Sequence, residues 1–270
     1  MVQPFERLRY LARWAGDDDA LVAEAADCLA GFADDPAGLV VACRRLLAHH
    51  PGSGPLWWLC SRVLCASDAA DAAWEAVQLL QDDRTGARLA DALPFPHDEP
   101  IAVVGWSDAI ADAVATRADL DVVAVRLPGN RSITSRIRRA DRPVRLVPDF
   151  EANALGVTHL LVEAVAVGHS EAFVPVGAPP VLHALSKSAA QVWLVAGLGR
   201  VLPDRLFDAM VERMRARPDP FVDAGEDDAA VETVTLGLLD AVAGPAGLEA
   251  PSLATRHAEC PVAPELLRVG

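Results

Sequence analysis

The chain of 270 residues carries 24 basic and 38 acidic side chains, a formal net charge of −14, with 52% hydrophobic and 23% charged residues. That much apolar side chain can offset the ordering entropy of a packed core, which excludes a globally disordered chain; the length suits one large domain or two ordinary ones. The acidic field repels phosphate backbones and anionic bilayers, so no direct nucleic-acid binding and no membrane partner is expected. No apolar run approaches the roughly 18 residues of a membrane span, and MVQPFERLRY lacks a basic segment followed by an apolar one, so the expected location is cytoplasmic.

From Phe5 the apolar residues recur at three and four: Phe5, Leu8, Leu11, Ala12 and Ala15, then Leu21, Ala25, Cys28, Leu29 and Phe32. This is the period of amphipathic helices, with Asp17, Asp18 and Asp19 placed to cap the second. A third helix is predicted over Pro36–His49, ending at the breaker His50 to Pro55, with His49 and His50 as cationic groups at the helix end. Leu56–Ala66 and Ala69–Ala90 read as two more helices, the last capped by Ser67 or Asp68, and Leu93 to His97 marks a boundary. The five cysteines are scattered and odd in number, and four lie in apolar helical patterns. Neither disulfides nor a structural metal is expected from them. Of the adjacent Trp57 and Trp58, about 100° apart on a helix, one is expected in the core and the other at a domain or subunit boundary.

After Pro100 the period changes. IAVVGW, DVVAVRL, PVRLVP, THLLVEAVAV and QVWLVAG are short apolar runs rich in β-branched residues, separated by helical patterns at Asp108–Arg117, Ser132–Ala140 and Pro180–Ala189. Such alternation predicts a buried, mainly parallel sheet built from β-α-β units, hence an α/β chain with a helical N-terminal domain (1–95) and a Rossmann-like domain (96–270). An exposed acidic loop at Asp223 to Asp228 and a strand-like stretch Val231 to Leu236 follow, before a tail whose pattern specifies no fold.

Ligands of such sheets bind at the carboxyl ends of the strands. That rule selects Gly105-Trp106-Ser107-Asp108, Arg126 to Gly129, Pro148-Asp149, Ala166 to Ser170 and Gly197 to Arg200. The last segment lacks the third glycine of a dinucleotide fingerprint and reads as a turn, so no nicotinamide cofactor is expected. Seven arginines lie between Arg126 and Arg145; Ile133 and Ile137 give their helix its buried side and leave Arg136, Arg138 and Arg139 outward. Arg126 ends a buried strand at the ligand edge, where either a ligand or an ion-pair partner suits it. His169 follows a strand end beside Gly168 and could act as an acid or base. Glu163 interrupts LLVEAVAV, a costly place for a carboxylate unless it is paired or protonated.

The order of these segments resembles the initiation factor 2B alpha/beta/delta family, which includes methylthioribose-1-phosphate and ribose-1,5-bisphosphate isomerases. The segments are IAVVGWSDAIADAV, DVVAVRLPGNRSITSRI, PVRLVPDFEANAL, LLVEAVAVGHSEAFVPVGAPPVLHAL and QVWLVAGLGRVLPDRLF after a helical third; the closing CPVAPELL, Cys260 to Leu267, is also similar. The resemblance implies a helical cap on a Rossmann-like domain, a homodimer formed through the large domain, and a sugar-phosphate or nucleotide pocket lined by Gly105, Ser107, Arg126, Gly168 and Gly177. In the isomerases a cysteine after the first strand and an aspartate in a Gly-Ala-Asp segment transfer protons. Here Gly105 to Asp108 holds no cysteine, and Glu163-Ala164-Val165 places valine at the aspartate position. The Asn-Lys-x-Gly-Thr segment reads Val174 to Ala178 and keeps only Gly177, and the Glu-Ser-Arg-Pro segment keeps only Arg126.

Valine and proline neither transfer protons nor bind phosphate through their side chains, so the expectation is a non-catalytic binding or regulatory homologue without cofactor or metal. One alternative is an aldose–ketose isomerase-like enzyme for a phosphorylated pentose, using Asp108, Glu163 or His169 as acid or base. Another is a translation initiation factor subunit acting through protein contacts.

Overall fold

The computed structural model describes residues 4–14, 18–93, 100–127, 133–138, 144–149, 156–216 and 231–268. Five helices come first: α1 (Pro4–Leu11), α2 (Asp18–Ala30), α3 (Pro36–His49), α4 (Gly54–Cys65) and α5 (Ala69–Gln81). Next come α6 (Thr85–Ala92), β1 (Ile101–Val104), α7 (Asp108–Thr116), β2 (Val122–Arg126), α8 (Ile133–Ile137), β3 (Arg145–Pro148) and β4 (His159–Glu163). The order continues through β5 (Ala166–Val167), β6 (Glu171–Pro175), α9 (Ala178–Leu185), β7 (Gln191–Val195) and α10 (Asp204–Arg215). It closes with β8 (Val231–Thr235), β9 (Ala241–Gly244), β10 (Gly247–Glu249) and α11 (Pro251–Ala254). Two compact units result: a helical unit of Met1–Asp82, Leu198–Asp228 and Ala258–Gly270, and a sheet unit of Asp83–Gly197 and Ala229–His257.

In the helical unit α3 starts where its sequence says it should. The Asp35 carboxylate accepts the Gly38 N–H at 2.9 Å, and Pro36 sits in the first turn, where a missing N–H costs nothing. Leu39, Ala42, Cys43, Leu46 and Leu47 then fall on one buried face. His50 ends the helix, buried, with its ring Nε2 donating to the Leu11 carbonyl at 2.7 Å. Burial, with the neighbouring His50 and Arg45, pushes the His49 imidazole below its ordinary value.

Helix α4 corrects the expectation for the tryptophan pair, because Trp57 and Trp58 are both buried, at 0% and 1% exposure. The cause lies far along the chain, since α10 and the segment after Ala258 cover the face that the first helices leave open. The Trp58 indole N–H donates to the Glu259 carbonyl at 3.2 Å, and the Arg213 guanidinium lies 5.2 Å from the Trp57 ring centre. Gly199, at φ +78°, lies so close to α4 that a Cβ there would sit 3.3 Å from Pro55 Cα and the Trp58 ring. The second glycine of Gly197-Leu198-Gly199-Arg200 is therefore explained by packing. All five cysteines are free thiols; four are buried, Cys65 is exposed, and burial pushes the Cys28 thiol to about 11.

The single helix expected over Ala69–Ala90 is two. Asp68 caps α5 by accepting the Asp71 N–H at 3.0 Å, but the chain breaks after Gln81 and restarts at Thr85. There the Asp83 carboxylate accepts both the Thr85 N–H, at 3.0 Å, and its hydroxyl, at 2.7 Å. Helix α6 then packs on α7 within the sheet unit.

The sheet unit is a mixed α/β layer with a seven-stranded sheet in the order β10-β9-β7-β4-β1-β2-β3, parallel throughout except for β10 against β9. Ile101, Val103, Val122, Ala124, Leu161, Trp193 and Val195 pack with Leu89, Ile110, Val114, Ile133 and Ile137 of the helices in one cluster. The alternate strand residues Ala102, Val104, Leu160, Val162, Val192 and Leu194 are buried as well, so both faces of the sheet are covered. THLLVEAVAV, read as one parallel strand, supplies two: β4 in the parallel sheet, then β5 in a separate antiparallel sheet ordered β5-β6-β8. The switch falls at Ala164 and Val165, whose backbone N–H groups donate to Val195 of one sheet and Phe173 of the other.

The tail resolves into β9, β10 and α11, plus a 3₁₀ turn at Pro264–Leu266. The expected caps Asp17 to Asp19, the boundary at Pro94 to His97, Arg131, Arg139 and Arg142, and the acidic stretch Asp223 to Asp228 lie outside the described side chains. Among the described residues, no helix is long and apolar enough to cross a membrane.

Candidate functional site

From β1 the chain proceeds outward to β2 and β3, then returns to β4 on the other flank of β1 and continues to β7 and β9. The strand order therefore reverses between β1 and β4. In parallel sheets the loops leaving two such strands diverge, and the crevice at their carboxyl ends is where ligands ordinarily bind.

Gly105, Trp106 and Ser107 leave β1 at this crevice, and Glu163 is the last residue of β4. Val104 pairs with Val162, so Glu163 stands one step beyond the last β1–β4 pair, beside Gly105. The Glu163 side chain is folded into the turn. Its Oε2 accepts the Trp106 N–H at 2.8 Å, and its Oε1 lies 3.9 Å from Arg136 Nη1 of α8. Glycine is required at 105 on two counts: its φ is +81°, and a Cβ there would lie 2.5 Å from both Cβ and Oε2 of Glu163. A carboxylate with its residue only 9% exposed is thus held by one charge-assisted hydrogen bond and one long ion pair. The sequence anticipates that Glu163 needs a partner but names neither of these. Arg136, expected outward, turns toward Glu163; it is one turn beyond Ile133 and next to Ile137, close enough to the buried stripe to reach inward.

The other sequence-selected residues separate into two groups. Ser107 and Asp108 accompany Gly105 at the crevice. The buried Ser107 Oγ accepts the Ile110 N–H at 3.4 Å as the cap of α7, and Asp108 is exposed in the first turn. Arg126 ends β2, opposite Pro148, with its side chain exposed, so it has no desolvation to offset. Gly168 and His169 instead occupy the turn between β5 and β6, where the Gly168 N–H donates to the Glu171 carbonyl at 2.9 Å and His169 is exposed. Gly177, at φ +83°, precedes α9, and its N–H donates to Glu232 Oε2 on β8 at 3.1 Å. Val165 is apolar and 9% exposed.

Chemically the crevice offers a buried hydrogen-bond acceptor with a guanidinium at its back. No three His, Cys, Asp or Glu side chains cluster as a ligand set for a metal among the described residues. A hollow of about 450 Å³ lined by Ser186, Ser188, Gln191 and Asp240 lies at the opposite, amino end of β7.

No protein-family model and no curated protein sequence matches this chain. Solved structures do. The chain is similar to a translation initiation factor 2B protein of Pyrococcus horikoshii, with TM-score 0.72 at 10% identity over 93% of this chain and 98% of that one. It is also similar to the initiation factor 2B beta subunit of Chaetomium thermophilum, with TM-score 0.68 at 16% identity over 97% and 92%. A third similar structure is the 5-methylthioribose 1-phosphate isomerase of Pyrococcus horikoshii, with TM-score 0.63 at 15% identity over 94% and 86%. The fold is thus the one these initiation factor subunits and this isomerase share, as the order of segments implied.

Proposed function

We propose that this chain is a divergent member of the initiation factor 2B alpha/beta/delta family, acting as a non-catalytic binding or regulatory homologue with an altered small-ligand pocket in its sheet unit. The observation that carries this reading is the state of the crevice. Among the described residues the one buried carboxylate there, Glu163, is engaged by the Trp106 amide and Arg136, and Val165 stands where the resemblance puts the isomerases' proton-transferring aspartate. A group that shuttles protons must reach substrate, and a valine cannot do so. Gly105, Ser107, Asp108 and Arg126 line the carboxyl edge of β1 and β2, where a sugar phosphate or nucleotide would lie.

The test is a thermal-shift screen of the purified chain against sugar phosphates, nucleoside monophosphates and inorganic anions, since a ligand that prefers the native state raises the midpoint by mass action. The expected result is a shift with one ribose phosphate or nucleotide, lost in Arg126→Ala, without turnover of ribose 1,5-bisphosphate or methylthioribose 1-phosphate. Turnover that persists through purification, and falls in Glu163→Ala or His169→Ala, overturns the non-catalytic reading. The similarity to initiation factor subunits favours a second reading, a subunit acting through protein contacts. Recovery of translation components with the native protein, with no small-molecule shift, would move the weight there. The expected homodimer is checked by light scattering.

A further inference from the structure

Where a parallel sheet reverses its strand order, a glycine-bearing turn leading into a helix ordinarily presents backbone N–H groups to an anionic part of a ligand. In this chain the Trp106 N–H of that turn already holds an anion. It is the carboxylate of Glu163, seated at 2.8 Å with its residue 91% buried, on a strand whose pairing with β1 and β7 fixes where the side chain starts. The space it fills exists because residue 105 has no side chain, and the fit is close on both sides. Asp108 adds a second negative charge at the start of α7, and Arg136 balances Glu163 from 3.9 Å without a hydrogen bond.

We infer that Glu163 sets the charge preference of the β1–β4 crevice: its carboxylate keeps phosphate off the Trp106 amide and leaves the crevice to a hydroxyl- or amine-bearing part of the ligand. This rests on the proposed function, since it specifies what is altered in the pocket. A phosphate entering beside a buried carboxylate meets like charge where water screens it poorly, which costs far more than the same encounter in bulk solvent. A hydroxyl or ammonium group donates instead into the lone pairs that the Trp106 bond leaves unused. Any phosphate on the ligand then lies toward the exposed Arg126 at the end of β2.

The experiment follows the backbone amide resonance of Trp106 in the ¹⁵N-labelled full chain during titration with inorganic phosphate, against chloride at matched ionic strength. Wild type is expected to show no saturable displacement of that resonance up to millimolar phosphate. Glu163→Gln, which keeps an acceptor for the amide, and Glu163→Ala are expected to show one at phosphate concentrations at least about tenfold lower than any effect in wild type. Saturable movement of the wild-type resonance overturns the inference, as does a still resonance in the folded variants. If neither variant folds, the wild-type titration decides alone, by the same criterion. The proposed function fails separately. A wild-type chain whose midpoint responds to no sugar phosphate or nucleotide sinks that reading, whereas phosphate on Trp106 of wild type sinks this one.

Discussion

The buried hydroxyl of Ser61 accepts the backbone N–H of Ala263 at 2.9 Å, across 202 residues of sequence. The same hydroxyl donates to the Pro261 carbonyl, so one side chain on α4 holds the closing segment at two points. Arg44 adds two donations to the Glu265 carbonyl, at 3.0 and 2.8 Å.

Ser61→Ala leaves the buried Ala263 amide without this partner, and should lower unfolding stability by about 1–3 kcal/mol. Chemical denaturation measures it. A loss no larger than that of an exposed serine substitution would mean that water replaces the hydroxyl freely.

Gly86 of α6 lies so close to α7 that a Cβ would stand 2.7 Å from Asp112 Cβ and 3.0 Å from the Ala109 carbonyl oxygen. In an isolated helix Gly→Ala is stabilising, but here the contact is with backbone and a Cβ, neither of which can swing away. Gly86→Ala is therefore expected to destabilise by about 1–3 kcal/mol, the reverse of helix propensity. A raised thermal midpoint would show that the two helices separate at no cost.

Asp68 supplies the first-turn acceptor of α5 through the Asp71 N–H. Asp68→Ala should cost about 1 kcal/mol, and Asp68→Asn much less, because the amide oxygen can still accept. Equal losses in the two variants would assign the effect to charge rather than capping.

His159, at the start of β4, lies edge-to-face on Trp193 with ring centres 4.7 Å apart, and burial pushes its imidazole below the ordinary 6.5. The unfolded chain therefore takes up a proton at higher pH than the native one does. The resulting stability difference is absent above about pH 6.5, and the native state loses ground as pH falls from there toward the lower folded value. His159→Gln should flatten part of that acid limb in denaturation midpoints measured across the window. His49 is shifted in the same direction and retains its share. An unchanged slope would remove His159 as a source.

The sequence made α3 legible because Asp35, Pro36 and a clean stripe of Leu39, Cys43, Leu46 and Leu47 all agree. The parallel strands were legible for the same reason: β-branched runs buried on both faces have few other uses. What period cannot reveal is where a continuous apolar run changes partners. Ala164 and Val165 carry no turn chemistry, and only the location of Val195 and Phe173 decides which sheet each joins. Likewise Ala69–Ala90 keeps a helical pattern across Asp82 and Asp83, and the capping of Thr85 by Asp83 divides it. At the candidate site the expense of burying Glu163 was visible, while its partner, an amide 57 residues away, belongs to the topology.

The helical unit is assembled from three separated stretches, and the last of them, beginning at Ala258, leaves the ribosome after all of Asp83–Gly197 has been made. Trp58 and Ser61 therefore wait without their Glu259, Pro261 and Ala263 partners while the sheet segments emerge. During that interval α4 holds an incomplete apolar face, a state that invites chaperone attention. A stop codon ahead of position 258 would do its damage in the helices translated first.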